Sequence, residues 1–185
     1  MPTLNLKASH NVVKDYYDTL KGITTLHLFH EGAVSPAFAA LLRYCGRQYG
    51  WTLAEKSPLK RGNRTLYPDG TLFDDFKIPH GYWEAKDTED DLAQEVRKKF
   101  ATGYPRDNIL FQAPDRAILW QNGNQILDED ITEPGRLIEV LKAFFGAALS
   151  TCALIRLHCH LVSAISRISL GGDDHVAGHD LCPLR

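Results

Sequence analysis

The sequence of 185 residues suits one domain with a short appendage. Apolar residues make up 44% of the chain and charged residues 24%, a composition that can form an ordinary globular core. The formal net charge of −2 excludes a protein that coats nucleic acid through overall basicity, so any DNA contact must come from a local patch. No segment approaches the roughly 20 apolar residues of a membrane span. The scattered cysteines and the absence of a signal pattern predict a reduced, cytoplasmic protein without a membrane partner.

Two helices are predicted in the first 50 residues. Residues 10–21 carry apolar side chains at helical spacing. The next segment has Ser35 as a plausible N-cap, Pro36 at the first helical position and Gly50 as a stop. Its apolar face is formed by Val34, Phe38, Leu41, Leu42 and Cys45.

The middle of the sequence predicts three strands and a helix. The strands are expected over 51–60, 69–76 and 81–86, with a basic turn at 61–66 between the first two. The helix is expected over 88–105, with Thr88 as its N-cap and an apolar stripe of Leu92, Val96 and Phe100.

Two further strands, 108–112 and 116–123, and a helix over 131–149 complete the pattern. The order α-α-β-β-β-α-β-β-α predicts an α/β fold, a mixed sheet flanked by helices, over residues 1–145.

Three charged residues should meet at one edge of this sheet. Glu84 and Lys86 point to one face of their strand because alternate residues share a face, while Ala85 points into the core. Antiparallel pairing brings Asp69, at the start of the preceding strand, toward the same place. Two close carboxylates repel each other unless a cation joins them, and Mg²⁺ does so through one or two carboxylates, water and substrate phosphate. The alternative is an exposed edge strand whose charges oppose aggregation.

The spacing of these residues resembles a known motif. Pro68-Asp69 is followed, after 14 intervening residues, by Glu84-Ala85-Lys86. This pattern is similar to the PD-(D/E)xK nuclease superfamily, whose restriction-endonuclease-like core has a matching order of helices and strands. The segments "HEGAVSPAFAALLRYCGRQYGWTL" and "DGTLFDDFKIPHGYWEAKDTEDDLAQEVRKKFATGYPRDNILFQAPDRAILWQNG" further resemble the N-terminal nuclease domain of type ISP restriction–modification enzymes. In those enzymes a helicase-like ATPase and an N6-adenine DNA methyltransferase follow the nuclease.

The resemblance implies roles for individual residues. Asp69 and Glu84 match the metal-binding acids, Lys86 matches the catalytic lysine, and the carbonyl of Ala85 is the expected third metal contact. The implied cofactor is Mg²⁺, with Mn²⁺ as a substitute. Supporting roles are implied for the acid Glu31 and the glutamine Gln94. Asp74 and Asp75 lie close before Glu84 and remain alternatives to Asp69 as the first acid.

Double-stranded DNA is the expected partner. A basic group on the helix after the motif, with one arginine beyond it, could contact phosphates without reading bases, and the alternative is a solvated helix face. The residues are Arg97, Lys98, Lys99 and Arg106, with further basic residues at Lys60, Arg61 and Arg64.

The last 40 residues, 146–185, differ in character from the rest. They contain three of the four cysteines and no lysine. We interpret them as a divergent tail from a shifted reading frame; a natural divergent helix and a zinc site are the alternatives. The residues that a zinc site would draw on, Cys152, His158, Cys159, His160, His175, His179 and Cys182, have no standard finger spacing.

The sequence therefore predicts a metal-dependent DNA endonuclease domain that hydrolyses phosphodiester bonds. The helicase and methyltransferase regions of its full-length relatives are absent from this chain, so weak or non-specific cutting is expected. The alternatives are a non-catalytic DNA-binding module and an inactive fragment of the same kind of protein.

Overall fold

A computed structural model of the chain describes residues 3–25, 31–87 and 91–146. The first two helices are α1 (Asn11–Thr25) and α2 (Glu31–Arg47). The predicted apolar face of α2 is buried. However, α2 begins before Ser35, so Pro36 lies inside the helix and Ser35 is not its cap. Proline removes one intrahelical hydrogen bond, a loss that burial of Phe38, Leu41 and Leu42 on the following turns can offset.

After these, the described residues form eight strands and two more helices. Helix α3 spans Leu92–Ala101, and a fourth helix, α4, covers 134–146. The strands are β1 (Thr52–Glu55), β2 (Leu59–Arg61), β3 (Arg64–Leu66), β4 (Gly70–Phe73), β5 (Pro79–Ala85), β6 (Asn108–Gln112), β7 (Arg116–Gln121) and β8 (Asn124–Asp130).

Six strands form one mixed sheet in the order β1-β4-β5-β6-β7-β8. Strands β5 and β6 are parallel, joined by α3, and every other pair is antiparallel. The predicted α/β mixed sheet flanked by helices is confirmed. Since β5 lies between β4 and β6, it is a central strand, so the edge-strand interpretation of its charges is wrong.

Two parts of the strand prediction are wrong. The predicted strand 51–60 is interrupted after Glu55, and its end forms β2, which pairs with β3 in a separate hairpin. Strand β8 was not predicted because most of its residues are polar and exposed, so no alternation of apolar and polar residues marks it.

Each face of the sheet packs against its own group of elements. On one face, Trp83, Ala85 and Leu110 join the core formed with α1, α2 and α4. On the other face, Tyr82 and Ile109 pack with α3, and Leu59 and Leu66 of the β2–β3 hairpin contact the same cluster. Alternation along β5 places Glu84 and Lys86 on the second face, with Tyr82. The charged residues of β5 therefore share a face with α3 and the hairpin.

Gly81 of β5 lies under α4, and we expect its replacement to destabilise the fold. A Cβ atom at this position would stand 2.7 Å from Cζ of Phe144 and 3.0 Å from Nδ2 of Asn108. Both neighbours are buried, so Gly81→Ala should lower the free energy of unfolding by about 1–3 kcal/mol. Urea unfolding measures the change. Gly22→Ala in α1 is the control. A Cβ atom there would have no neighbour within 4 Å among the described residues, so this substitution should leave stability unchanged or raise it.

The tail from residue 147 onward lies outside the described residues, as do its cysteines and histidines. The division into a domain over 1–145 and a tail over 146–185 stays a prediction. In the described part of the chain, no helix has the length and apolar character needed to cross a membrane.

Candidate active site

The β4–β5 pairing brings three charged residues together. Gly70 pairs with Trp83, which places Asp69, just before β4, level with Glu84. Asp69, Glu84 and Lys86 are 5%, 2% and 8% exposed. Burial of three charged side chains is costly unless each has compensating partners. The structure thus brings the three predicted catalytic residues together at one buried place.

Asp69 is held by both strands next to it. One carboxylate oxygen accepts a hydrogen bond from the backbone N–H of Ala85 at 2.8 Å. The other pairs with the ammonium of Lys56, which follows β1. Lys56 also donates its backbone N–H to the carbonyl of Asp69, at 3.2 Å. The carboxylate is therefore fixed in orientation at the junction of β1, β4 and β5.

Glu84 lies between two lysines. Its Oε1 is 3.4 Å from Nζ of Lys86 and also pairs with Lys99 of α3. Burial raises the pKa of Glu84, the charge of Asp69 raises it further, and the two lysines lower it in part. Its other oxygen, Oε2, is buried and has no hydrogen-bond partner among the residues that the structure describes. A buried, unsatisfied carboxylate oxygen is costly and suits a site that is completed by a cation or a ligand.

A second layer of contacts orients Lys99. Its Nζ donates to the hydroxyl of Tyr104 at 3.3 Å and lies 4.7 Å from the centre of that ring. The Tyr104 hydroxyl donates in turn to the carbonyl of Tyr67, at 3.3 Å. Burial raises the pKa of Tyr104, and the charges of Glu84 and Asp69 raise it further, so its hydroxyl stays protonated. These contacts tie α3 and the end of the β2–β3 hairpin to the carboxylates.

The four predicted DNA-contacting residues divide into two groups. Lys99 is turned inward to Glu84, whereas Arg97, Lys98 and Arg106 are exposed. The guanidinium of Arg106 lies 4.5 Å from the centre of the Phe100 ring, and Lys98 pairs with Glu95 at 2.6 Å. The exposed residues form a basic surface beside the site, and Lys99 belongs to the site itself.

Helix α3 begins later than predicted. Asp91 is its N-cap, with carboxylate contacts of 3.0 and 3.3 Å to the N–H groups of Ala93 and Gln94, so the assignment of Thr88 as the cap is wrong. A carboxylate accepts these bonds well and also complements the positive end of the helix dipole.

Gln94, a predicted supporting residue, has an exposed side chain on the first turn. Glu31, the other predicted supporting residue, is the first residue of α2, and its side chain lies outside the described part of the chain.

Asp74 and Asp75, the alternatives to Asp69, lie beyond the opposite end of β4. Asp74 accepts hydrogen bonds from the N–H groups of Phe76 and Ile78, both at 2.9 Å, and contacts Nε2 of His80 at 3.0 Å. Burial acts to raise the Asp74 pKa, but these hydrogen bonds outweigh it and hold the pKa below its usual value. Asp75 is exposed. Asp74 thus organises the β4–β5 turn, and only Asp69 of the three aspartates stands beside Glu84.

Lys56 and Tyr104 were not singled out from the sequence. Lys56 is 13 residues before Asp69, separated from it by the β2–β3 hairpin, and has a left-handed φ of 51°. A lone lysine after a short strand carries no signal of such a partner. The helical period could have indicated that Lys99 faces the sheet, because it lies seven residues after Leu92, which is buried.

The known proteins that resemble this chain are found among solved structures. No protein-family model matches the chain, and no curated protein does. Among solved structures, the cryo-EM structure of a DrdV–DNA complex is similar, with 38% identity over 72% of this chain and a TM-score of 0.69. The chain belongs to the PD-(D/E)xK nuclease superfamily. The type IIG restriction endonuclease BpuSI is also similar, with 12% identity over 66% of this chain and a TM-score of 0.45.

Both of these proteins are much longer than this member of the nuclease superfamily. The chain spans 13% of the length of the DrdV chain and 17% of that of BpuSI.

Asp69, Glu84 and Lys86 are the positions that match the superfamily motif, and they are also the residues that the sheet brings together. Lys56 and Lys99 give the site three ammonium groups for two carboxylates, so these five groups carry one positive charge in excess. Such a site suits an anionic substrate.

Proposed function

We propose that this chain is a Mg²⁺-dependent DNA endonuclease domain that hydrolyses phosphodiester bonds, as in type ISP restriction–modification enzymes. The observation that carries the proposal is the close approach of the buried carboxylates of Asp69 and Glu84, with Lys86 beside them. Within the described ranges of the chain, Oε2 of Glu84 has no hydrogen-bond partner. The likeness to a large DNA-bound protein supports the assignment to an enzyme with further parts. In the type ISP family those parts are a helicase-like ATPase and a DNA methyltransferase.

The ligand set fits Mg²⁺. Within residues 3–25, 31–87 and 91–146, no three His, Cys, Asp or Glu side chains converge, as a closed protein cage for a metal would require. Mg²⁺ commonly uses only one or two carboxylates and takes its other ligands from water and phosphate. Asp69 and Glu84 supply the two carboxylates. The C=O of Ala85 points to the same side as its N–H, which contacts Asp69, so this carbonyl can be the third protein ligand.

Hydrolysis joins the oxygen of a water molecule to phosphorus and breaks the bond from phosphorus to one sugar oxygen, which takes up a proton. Bound Mg²⁺ would polarise the phosphate and lower the pKa of a water. Asp69 and Glu84 fix the position of the reacting groups, because backbone and lysine contacts hold both side chains. The buried ammonium of Lys86 can orient the attacking water or stabilise negative charge that develops on phosphorus.

The exposed basic surface supports duplex DNA as the substrate. Arg97, Lys98 and Arg106 lie on α3 and just after it, on the side of the sheet that carries the site. Contacts from such residues to phosphates position a duplex without reading its sequence. Sequence specificity would then come from other parts of a full-length enzyme.

A plasmid assay tests the proposal. The purified chain is incubated with supercoiled plasmid in Mg²⁺, in Mn²⁺ or in EDTA, and conversion to open-circular DNA is followed on a gel. We expect nicking with either metal and none in EDTA. Binding of the plasmid without nicking in both metals would overturn the proposal and favour the non-catalytic module.

A further inference from the structure

The β2–β3 hairpin is a small, separate sheet inserted between β1 and β4. Its register pairs Leu59 with Leu66 and Arg61 with Arg64, and its turn has Gly62 at a left-handed φ of 56°. Positive φ at this point is what a two-residue hairpin turn requires. Leu59 and Leu66 pack against the core on the face that carries the site, and the remaining residues, 60–65, are exposed.

The hairpin is basic throughout. Residues 56–68 include four basic residues and no acidic residue. Lys60, Arg61 and Arg64 are exposed on the hairpin, and Nη2 of Arg61 is 3.7 Å from Oδ2 of Asp107. Asp107 is itself 80% exposed, so this ion pair is weak. In the described part of the chain, Lys60 and Arg64 form no ion pair.

Both ends of the hairpin are anchored at the candidate active site. At its start, Lys56 pairs with Asp69. At its end, the carbonyl of Tyr67 accepts from Tyr104, whose hydroxyl also contacts Lys99. Each strand has three residues and therefore reaches about 10 Å at 3.3 Å per residue. This reach corresponds to about three nucleotides along one DNA strand, at 3.4 Å each.

We propose that the β2–β3 hairpin is a sequence-independent clamp on the phosphate backbone of duplex DNA, within about three nucleotides of the phosphate that is cut. The proposal rests on the proposed function, which makes duplex DNA the substrate. Its chemistry fits phosphates better than a protein surface, because the exposed residues 60–65 are all polar or glycine. Protein interfaces usually have an apolar or aromatic centre, which this hairpin lacks.

The test compares two triple variants in EDTA, where cleavage is stopped. Lys60→Ala/Arg61→Ala/Arg64→Ala removes the hairpin charges. Lys14→Ala/Lys21→Ala/Lys142→Ala removes the same charge from exposed positions on α1 and α4, on the other face of the sheet. Fluorescence anisotropy of two 30-base-pair duplexes of unrelated sequence, over a series of KCl concentrations, gives the affinity and its salt dependence.

We expect the hairpin variant to lose about 10- to 100-fold in affinity for both duplexes. The slope of log affinity against log salt should decrease in magnitude by about two to three, one unit for each lost phosphate contact. The α1/α4 variant should retain the wild-type slope. The double variant Arg61→Lys/Arg64→Lys, which keeps the positive charges, should retain most of the wild-type affinity. A hairpin variant with the wild-type slope, or an equal loss in both triple variants, would overturn the clamp.

A parallel nicking assay separates this proposal from the proposed function. At limiting enzyme in Mg²⁺, the hairpin variant should nick plasmid more slowly than the wild type, because it keeps Asp69, Glu84 and Lys86 but binds DNA more weakly. If neither protein nicks DNA but the difference in salt slope persists, the clamp stands and the nuclease assignment fails. If both nick DNA and their slopes are equal, the clamp fails and the nuclease assignment stands.

Discussion

Asp69→Asn and Glu84→Gln are each expected to reduce the rate of plasmid nicking in Mg²⁺ by about a hundredfold or more, the scale of losing one preorganised electrostatic group in an active site. Both substitutions keep the shape of the side chain and remove a charge that would hold the metal. Both variants should still fold. Burial and the charge of Asp69 both raise the pKa of Glu84. The folded state therefore disfavours two negative charges at this place, and each substitution removes one of them. Thermal unfolding of each variant checks this.

Asp74→Asn is the matched control for these substitutions. It removes the same charge from the β4–β5 pair of strands. The Asp74 carboxylate, however, stabilises the β4–β5 turn through its contacts with Phe76, Ile78 and His80. We expect nicking at close to the wild-type rate. If Asp74→Asn abolished nicking and Asp69→Asn did not, the choice of Asp69 as the first metal-binding acid would be wrong.

Addition of Mg²⁺ without DNA is expected to stabilise the chain. A metal that binds the folded state, at a hundred times its dissociation constant, adds about 2.7 kcal/mol to the free energy of unfolding. For a chain of this size that corresponds to a rise of roughly 5–10 °C in Tm. The physical reason is that the two buried carboxylates form the site only when β4 and β5 are paired. Differential scanning fluorimetry at increasing Mg²⁺ or Mn²⁺, followed by EDTA, measures the effect and its reversal.

Glu84→Gln supplies the control for the metal effect. It should show little or no rise in Tm at the same concentrations, whereas Asp74→Asn should rise like the wild type. Equal stabilisation of the wild type and Glu84→Gln would mean that the metal binds elsewhere on the chain.

Local rules predicted the centre of the candidate site. Antiparallel pairing and the two-residue alternation of strands were enough to bring Asp69 toward Glu84 and to put Ala85 in the core. The same rules gave the buried face of α2 and the stripe on α3. These features depend on neighbours within one helix or one hairpin, so the sequence pattern contains them.

The missed features depend on chain connections that the pattern does not contain. Lys56 reaches Asp69 only because the residues between them fold into the β2–β3 hairpin. The sequence of this segment predicts only a basic turn. Lys99 was assigned to the solvent-facing basic group, and only the packing of α3 on the sheet shows that it contacts Glu84. Thr88 and Asp91 are both good N-caps by residue type, and where the helix begins decides between them.

The most direct test of the proposed catalytic centre is the rate of plasmid nicking by Lys86→Ala in Mg²⁺, compared with wild type and with Lys14→Ala on the exposed side of α1. Lys86 contacts Glu84 but is not an expected metal ligand, so its loss should spare the Mg²⁺-induced rise in Tm and remove only the chemistry. We expect the rate to fall about a hundredfold or more in Lys86→Ala and to stay unchanged in Lys14→Ala. Equal nicking by wild type and Lys86→Ala would contradict a catalytic centre formed by Asp69, Glu84 and Lys86.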